Sequence, residues 1–376
     1  MRDRKITILG SGVALGVYIP ALILNFQLRR LGLDTEVVLL EDLYDSDGLR
    51  SLETLRRSFH ENFKLAKIAQ RMTSSLRPHL DPGKVKALLC CWRREDRRDF
   101  VVWSGFWVPL LEEYRSQRAQ GVVHADLCRI DATISPSFDG HQQPTPDDQE
   151  IWFWNWNKRC LEHELPVTSA PAIPYQDRAA RLVVHGGGWG LGDYQDIAVK
   201  LEERGLKLDK VVYRRSETKA GNQASRTFMV APDWRAWLRD PGRQPEPPPF
   251  GEVTNGIADG SQFKNREECH ELYTLIRHSR AIISKPGGGT LMDSLSSATP
   301  VVFLAPYGAA EQNNANLWIH LGFGVSYDEW KASGFDIGLL ERLHDNLLNR
   351  KGETVNYPNS YAERLEHRCS METTGV

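Results

Sequence analysis

The chain has 376 residues, a length that favours two domains over one. Hydrophobic residues make up 41% and charged residues 26%, which excludes a disordered protein and leaves enough apolar material for two cores. The net charge of −2 provides no overall field for nucleic acid, so we expect no nucleic-acid partner. The cysteines lack the spacing of a disulfide framework or a zinc site, so we expect reduced thiols, a cytoplasmic location and no metal centre.

The N-terminal region starts with basic residues and continues with an apolar run over positions 6–26, as a signal peptide or membrane anchor would. Gly10, Gly12, Gly16 and Pro20 interrupt this run, and no cleavage site follows it. A strand, a glycine-rich turn and a helix explain the same residues better. No other stretch approaches the ~20 apolar residues of a membrane span, so we predict no transmembrane segment and at most a peripheral association with a membrane.

The first half is predicted to begin with a β-loop-α-β unit, which is typical of a parallel sheet covered by helices. Its two strands are expected over residues 5–9 and 35–40, with a helix over residues 18–31 between them. Beyond this unit we predict one long helix and two further strands, over residues 49–76, 100–103 and 122–126.

The same order of elements restarts in the second half, with a strand over residues 181–185 followed by a glycine-rich loop and a helix. Two doubly wound α/β halves fit this order better than one large sheet. We therefore predict an N-terminal Rossmann-like domain, a C-terminal Rossmann-like domain and a C-terminal helical segment, over residues 1–175, 176–350 and 351–376.

Two glycine-rich loops of the second half, residues 186–192 and 286–289, each lie between a predicted strand and a predicted helix. Glycine lets a backbone approach a phosphate, and a helix N-terminus adds unpaired N–H groups and the positive end of a dipole. Two such loops at neighbouring strand ends would suit a diphosphate. Neither matches the P-loop pattern, which disfavours a P-loop nucleotidase, and a tight structural turn is the alternative for the first loop.

Polar side chains in and after the second glycine loop suit a nucleotide-sugar. Asp293, one helical turn after Thr290, could accept from a ribose diol, although Thr290 and Asp293 also match a helix capping box that needs no ligand. Glu311 and Gln312 can bond to sugar hydroxyls, although acidic residues are also favoured in the first turn of any helix.

Taken together and in order, these motifs over residues 181–324 resemble the donor-binding half of GT-B glycosyltransferases. The closest resemblance is to the branch with the peptidoglycan N-acetylglucosaminyltransferase, diacylglycerol glycosyltransferases and natural-product glycosyltransferases. It implies a GT-B architecture, in which two Rossmann-like domains face a cleft, and a hexosyltransferase type of activity. A nucleotide-sugar, a UDP-sugar, would be the co-substrate, and transfer to a small-molecule, lipid or natural-product acceptor would be inverting and need neither metal nor bound cofactor.

The resemblance also assigns roles to residues of the second half. The glycines and Thr290 of the second loop would meet the diphosphate, and Asp293 would meet the ribose, where the family usually has Glu. Glu311 and Gln312 would meet the sugar, residues 250–253 the base, and the final helix would cross back to the first domain. The residues assigned to the nucleotide-sugar are His185, Gly187, Gly188, Trp189, Phe250, Val253, Gly288, Gly289, Thr290, Asp293, Glu311 and Gln312.

The first half departs from the family at the general base. Relatives often carry a His three residues before a Pro in the first glycine loop, and Val17 stands at that position before Pro20. Inverting transfer still needs a group that takes the proton of the acceptor. The loop itself, with Gly10, Gly12 and Gly16, would face the acceptor.

His124 and Asp126 are the candidate catalytic residues. They alternate along the strand predicted over residues 122–126, so they share a face, and we place them at the strand end where open α/β sheets bind ligands. His60 and Glu61 on the predicted long helix are weaker candidates.

Tryptophans of the first half form a separate cluster. Strand alternation would put Trp152, Trp154 and Trp156 on one face, near Trp103 and Trp107. They could stack on a ring-bearing acceptor, but core packing is the favoured interpretation.

Other functions share parts of this pattern. A sugar-nucleotide epimerase or hydrolase would use the same architecture, and a catalytically inactive nucleotide-sugar-binding subunit would explain the missing His. A dehydrogenase is a weaker alternative, because Gly10, Gly12 and Gly16 depart from GxGxxG, although Glu41 could bind a ribose.

Overall fold

The computed structural model describes residues 4–69, 79–118, 121–140, 144–218, 224–240, 242–253, 263–350 and 354–374. Two parallel sheets, each covered by helices on both faces, organise the chain. The elements of the first half are β1 (Lys5–Gly10), α1 (Leu15–Arg30), β2 (Asp34–Leu39), α2 (Ser46–Glu61), α3 (Phe63–Ala69), α4 (Pro82–Arg94), β3 (Asp99–Val102), α5 (Val108–Ser116), β4 (His124–Arg129) and β5 (Asp148–Trp152).

The first sheet has the strand order β2-β1-β3-β4-β5, and all its neighbouring strands are parallel. Its central strands are apolar on both sides because helices cover both faces: Ile8 and Val101 belong to the core on one face, and Leu9 and Val102 to the core on the other. Short strands β6 (Trp154–Asn155), β7 (Cys160–Leu161) and β8 (His163–Glu164) follow on the way to the second sheet.

The second sheet has the strand order β12-β11-β10-β9-β13-β14-β15, with an antiparallel edge strand β12. The elements of the second half are β9 (Ala179–His185), α6 (Tyr194–Glu202), β10 (Leu208–Val212), β11 (Arg226–Val230), β12 (Phe250–Glu252), α7 (Glu271–His278), β13 (Ser279–Ser284), α8 (Gly288–Ser297), β14 (Val301–Phe303), α9 (Ala309–His320), β15 (Gly324–Ser326), α10 (Tyr327–Ala332), α11 (Ile337–Leu348), β16 (Val355–Asn356) and α12 (Tyr357–Thr374). The predicted pair of doubly wound α/β halves is confirmed.

The last helix, α12, returns to the first sheet. The hydroxyl of Tyr357 donates to Asp126 Oδ2 over 2.9 Å, and the guanidinium of Arg364 pairs with the same carboxylate. Arg368 donates to Asp99 over 3.0 Å. Two buried acids at the first-sheet edge therefore hold the end of the chain.

Two sequence expectations change in the first half. The single helix over residues 49–76 is wrong, because α2 ends at Glu61 and Asn62 has extended backbone angles; residues 70–76 lie outside the described part of the chain. Core packing is confirmed for Trp103, Trp107 and Trp154, which are at most 1% exposed, whereas Trp152 and Trp156 are half-buried. Among the described helices, none has the length and apolar character needed to cross a bilayer.

Candidate functional site

A cavity of about 360 Å³ lies between the two sheets and is called the cleft cavity below. From the first half it is lined by the start of α1 and by the residues after β4. From the second half it is lined by the residues that follow β9, β13 and β14. These are carboxyl ends of parallel strands, where open α/β sheets bind ligands.

The first glycine loop of the second half contacts the first half directly. The indole N–H of Trp189 donates to the carbonyl oxygen of Val13. A Cβ on Gly188 would lie 2.9 Å from the Leu15 side chain, so a larger residue would force this contact apart. Both loop residues line the cleft cavity, as does Gly187.

The second glycine loop opens α8, and Gly287 caps the helix without a side-chain bond. A Cβ on Gly288 would lie 2.2 Å from the carbonyl oxygen of Ile130, a distance that real Cβ atoms do not show. Gly289 in turn packs against Gly16 of the N-terminal glycine loop. The first turn of α8 therefore meets the cleft with its backbone N–H groups free of intrahelical partners.

The capping-box interpretation of Thr290 and Asp293 is wrong. Because the N-cap is Gly287, Thr290 occupies the third position of the helix and Asp293 lies in its interior. Both side chains are buried and line the cleft cavity.

Asp293 pairs instead with His270, which caps α7. His270 Nε2 and Asp293 Oδ2 are 3.0 Å apart, and a carboxylate only accepts, so Nε2 carries the hydrogen of this bond. The remaining atoms, His270 Nδ1 and Asp293 Oδ1, are buried and have no hydrogen-bond partner among the described residues. Asp293 Oδ1 is therefore left as an acceptor for a ligand at the cavity wall, and so is His270 Nδ1 when the imidazole is neutral.

His185, at the end of β9, presents a third buried polar atom to the cavity, and this one is a donor. Burial and the nearby Lys285 and His270 lower the pKa of His185 to about 3, so the imidazole is neutral. Its Nδ1 accepts from the backbone N–H of Gly187 over 3.2 Å, which leaves the ring hydrogen on Nε2. Within the described ranges that Nε2 is buried and without a partner, so it can donate to an anionic ligand.

Lys285 and Glu311 form an ion pair beside the second glycine loop. The other carboxylate oxygen of Glu311 accepts from the backbone N–H of Tyr307 over 2.7 Å. All three residues line the cleft cavity, so a positive charge stands next to the N-terminus of α8.

Asp131, directly beyond β4, is the acid that the first half contributes to the cleft cavity. Its Oδ1 accepts from Asn314 Nδ2 over 2.7 Å. Burial, aided by the charge of Glu311 and opposed by Asn314 and Lys285, raises the pKa of Asp131 to about 6. A carboxyl with a pKa near neutrality suits proton transfer at physiological pH.

An apolar end of the cleft cavity includes Phe250, whose ring stacks on Phe228 at 5.8 Å between ring centroids. Val230, Pro248 and Leu272 complete this wall. Val253 does not line the cavity, because its side chain packs in a small cluster with Val212 and Met229.

The predicted placement of His124 and Asp126 at a ligand-binding strand end is wrong. β4 runs from His124 to Arg129 and pairs in parallel with β3, so both residues lie at the edge opposite the cleft. Burial raises the pKa of Asp126 despite the charge of Arg364, and its carboxylate anchors α12. The placement therefore argues against these two residues as the catalytic pair.

Other predicted residues also lie elsewhere. Gln312 is exposed and donates to Asn316 over 2.9 Å, outside the cleft lining. His60 and Glu61 pair with Glu217 and Arg214 of the second half, which ties the two halves together.

Glu41 organises the N-terminal glycine loop, which contains Gly10, Gly12 and Gly16. This buried carboxylate accepts from the Ser11 hydroxyl at 2.6 Å and from the N–H groups of Gly12 and Val13 at 2.7 and 3.3 Å. It thereby occupies the backbone donors that a dinucleotide would need, which opposes the dehydrogenase alternative. Of the predicted loop glycines, Gly16 lines the cleft cavity, while Gly10 ends β1.

The structure thus brings ten of the twelve residues assigned to the nucleotide-sugar to the cleft cavity, all except Val253 and Gln312. Sequence reasoning missed Asp131, Lys285 and His270 of the same lining and Asn314 behind it. A strand-end position was the available signal for Asp131 and Lys285. Within the described ranges, no group of three His, Cys, Asp or Glu side chains could hold a metal ion.

No protein-family model and no curated protein matches the sequence, but solved structures match over nearly the whole chain. Spinosyn rhamnosyltransferase SpnG is 12% identical over 97% of this chain and 100% of its own, with a TM-score of 0.55. CalG4, the calicheamicin glycosyltransferase, is 12% identical over 100% of both chains, with a TM-score of 0.52. MurG of Acinetobacter baumannii is 9% identical over 97% of this chain and 99% of its own, also with a TM-score of 0.52.

At these identities the likeness shows the fold, and it confirms the predicted resemblance to GT-B glycosyltransferases, with two Rossmann-like domains. SpnG itself has been solved with thymidine diphosphate and with the spinosyn aglycone.

Proposed function

We propose that this protein is a glycosyltransferase that moves a sugar from a UDP-sugar to a small-molecule, lipid or natural-product acceptor, with inversion at the anomeric carbon. The observation that carries the proposal is a set of buried polar atoms at the cleft cavity that have no partner in the described part of the chain: His185 Nε2, His270 Nδ1 and Asp293 Oδ1. Buried polar groups are nearly always paired in a folded protein, so these atoms indicate a polar ligand.

The diphosphate would lie at the N-terminus of α8. Free N–H groups of Gly288, Gly289 and Thr290 face the cavity there, and the helix dipole favours a negative charge. His185 Nε2 can add a hydrogen bond, and Lys285 adds a positive charge.

The nucleoside would extend from there along the second half. Asp293 Oδ1 and, in a neutral imidazole, His270 Nδ1 are two acceptors, which would match the two hydroxyl donors of a ribose diol. The apolar wall around Phe250 suits the flat base. The thymidine diphosphate complex of the structural neighbour SpnG supports a pyrimidine nucleotide.

The sugar would lie between the diphosphate and Asp131. In the transfer step, Asp131 accepts the proton of the acceptor nucleophile as that atom bonds to the anomeric carbon. The bond from the anomeric carbon to the diphosphate breaks at the same time, and UDP leaves with the electron pair. Backbone N–H groups and Lys285 stabilise the charge that develops on UDP, a role that metal ions fill in other sites.

A thermal-shift series with UDP, TDP, GDP and their sugars tests the nucleotide assignment, because a ligand that binds the folded state raises the melting temperature. We expect the largest shift with UDP or a UDP-sugar. An equal response to all nucleoside diphosphates would leave only a generic diphosphate site, and no response at millimolar concentration would refute the proposal.

Product analysis separates transfer from the two related functions. An epimerase would convert the UDP-sugar without releasing UDP, and a hydrolase would release free sugar at full rate without an acceptor. A binding subunit would do neither with any acceptor. We expect UDP release that depends on an acceptor and on Asp131.

A further inference from the structure

A second cavity, of about 470 Å³, lies on the other side of Trp189 and Tyr213, which line both cavities. We call it the arginine cavity. Its remaining walls come from α2 of the first half and from the residues after β10 and β11 of the second half. They are mostly charged: Glu53, Arg56, Arg57, His60, Glu61, Arg214 and Arg235.

Most of these charges are already paired across the two halves. Arg214 pairs with Glu61 at 2.7 Å, and Arg235 makes two contacts with Glu53. Both acids of the cavity wall therefore already have an arginine partner.

Two arginines of the wall, Arg56 and Arg57, have no such side-chain partner within the described part of the chain. Arg56 is the more buried of the two, and its guanidinium makes no hydrogen bond and no ion pair there. Burial and the like charge of Arg235 together lower the pKa of Arg56, against a weaker attraction from Glu53. A charge held in this way opposes folding, because it has lost water without gaining a partner. The fold alone gives no reason for an arginine here.

A ligand with a negative charge supplies that reason. A guanidinium presents a planar fork of N–H donors that fits the oxygens of a phosphate or carboxylate. Arg57 lines the same cavity. Its backbone carbonyl accepts from Arg214, and its guanidinium makes no hydrogen bond to any described residue. The indole of Trp189 and the ring of Tyr213 form an apolar wall beside this charge.

We propose that the arginine cavity binds an anionic group, a phosphate or a carboxylate, of the acceptor substrate. This inference rests on the proposed function. The UDP-sugar does not fill the role, because its diphosphate has its own partners at α8 and His185, none of which line the arginine cavity. An acceptor held by Arg56 would extend past Trp189 toward the cleft cavity, where the sugar is transferred.

Isothermal titration of the UDP-saturated protein with phenyl phosphate tests the proposal. Phenyl phosphate combines the anion with a ring for the Trp189 wall, benzoate tests a carboxylate in its place, and phenol is the uncharged control. The test variant is Arg56→Gln. The matched control is Arg50→Gln on the same helix, since Arg50 is 76% exposed, pairs with Asp47 and lies outside the arginine cavity.

We expect phenyl phosphate or benzoate to bind the wild type and Arg50→Gln equally, and to bind Arg56→Gln at least tenfold more weakly. Phenol should show no binding. Arg56→Gln should melt at the same or a higher temperature, because the guanidinium has no partner to lose, so weaker binding would not reflect unfolding.

Three results would overturn the proposal. They are equal anion binding by Arg56→Gln and the wild type, no binding of either anion at millimolar concentration, and anion binding to the free protein that is abolished when UDP is added. The last would place the anion in the diphosphate site. If UDP itself fails to bind, the proposed function fails, and the titration is then made on the free protein. In the free protein, weaker anion binding by Arg56→Gln alone would still support an anion site at Arg56. Equal anion binding by Arg56→Gln and the wild type would still overturn that site.

Discussion

The side-chain amide of Asn314 joins Asp131 across the cleft, with 2.7 Å between Asn314 Nδ2 and Asp131 Oδ1. Asn314 Oδ1 accepts from the N–H of Ala132 at 2.6 Å, and Nδ2 also donates to the carbonyl of Pro286 at 2.9 Å. The orientation of the amide is thus fixed, and Oδ1 of Asp131 is occupied. Asp131 Oδ2 has no hydrogen bond among the described residues, which leaves it for the proton of an acceptor.

We expect Asp131→Asn to lower kcat by roughly 10²–10⁴-fold, the usual contribution of a general base. UDP affinity should stay near the wild-type value, because Asp131 is on the opposite domain from the nucleotide contacts. Steady-state kinetics and a UDP titration measure the two effects. Unchanged turnover in Asp131→Asn would contradict its role as the base.

Asp126→Asn is the matched control. Asp126 is a buried aspartate near Asp131 in the sequence, but it lies at the opposite end of β4 and anchors Tyr357 and Arg364 of α12. We expect a lower melting temperature and little change in kcat of the folded protein. A loss of turnover as large as that of Asp131→Asn would restore Asp126 as a catalytic candidate.

The pH dependence follows from the same carboxyl. Asp131 must be ionised to accept a proton, and burial raises its pKa to about 6. We expect kcat/KM to fall below about pH 6, by about tenfold per pH unit. The folded state also holds this proton more tightly than the unfolded chain, so the ionised group opposes folding above that pH. Asp131→Asn should therefore no longer show the fall of kcat/KM at acidic pH. Its melting temperature at pH 8 should be no lower than that of the wild type. An unchanged fall of kcat/KM in this variant would assign the titration to another group.

Asp293→Asn tests the ribose assignment. The charge-assisted bonds of the carboxylate are worth roughly 1.5–3 kcal/mol, so UDP affinity should fall about tenfold or more. The amide oxygen can still accept from His270, which limits the loss of stability. Asp196→Asn, an exposed acid in the first turn of α6 and outside the cleft lining, should leave UDP affinity unchanged. Unchanged UDP affinity in Asp293→Asn would refute the assignment.

Glu311→Gln separates sugar from nucleotide. We expect weaker binding of the UDP-sugar, because a charged acceptor near the sugar is lost. Free UDP lacks the sugar, and Lys285 would lose its partner and become available to the diphosphate, so UDP affinity should be equal or higher. Parallel titrations with UDP and the UDP-sugar measure this. Equal weakening of both ligands would place Glu311 at the nucleotide instead.

We expect turnover to persist in EDTA. The N-terminus of α8 and Lys285 would supply the positive charge that the leaving diphosphate requires, and His185 Nε2 would add a hydrogen bond. Activity assays with and without chelator measure this directly. Activity lost in EDTA and regained with magnesium or manganese would show that a metal ion takes part.

Sequence patterns were sufficient for the architecture of the second half, because strand, glycine loop and helix follow one another twice with the glycines at the strand ends. They also assigned Asp293 and Glu311 to one site, and both residues line the cleft cavity. The two readings of Asp293 could not be separated from sequence, because they depend on where α8 begins. A capping box requires Thr290 as the N-cap, whereas the N-cap is Gly287, so Asp293 lies in the helix interior.

The candidate catalytic residues His124 and Asp126 were placed at the wrong strand end for a related reason. The strand predicted over residues 122–126 lies at 124–129, and this shift moves the carboxyl end from Asp126 to the vicinity of Asp131. His270 carried no local signal, since it lies 23 positions before Asp293 and meets it only through the packing of α7 on α8. Contacts between distant elements, such as Asn314 with Asp131, depend on how the two halves meet.

The carbonyl oxygen of Ile130 occupies the space that a side chain on Gly288 would need. Each half therefore constrains the sequence of the other, even where no substrate is involved. An engineered chimera that combines this N-terminal half with a C-terminal half from another protein of the same fold must keep glycine at the position facing Ile130. Otherwise the two halves cannot approach closely enough to form a shared cleft, however well each one folds by itself.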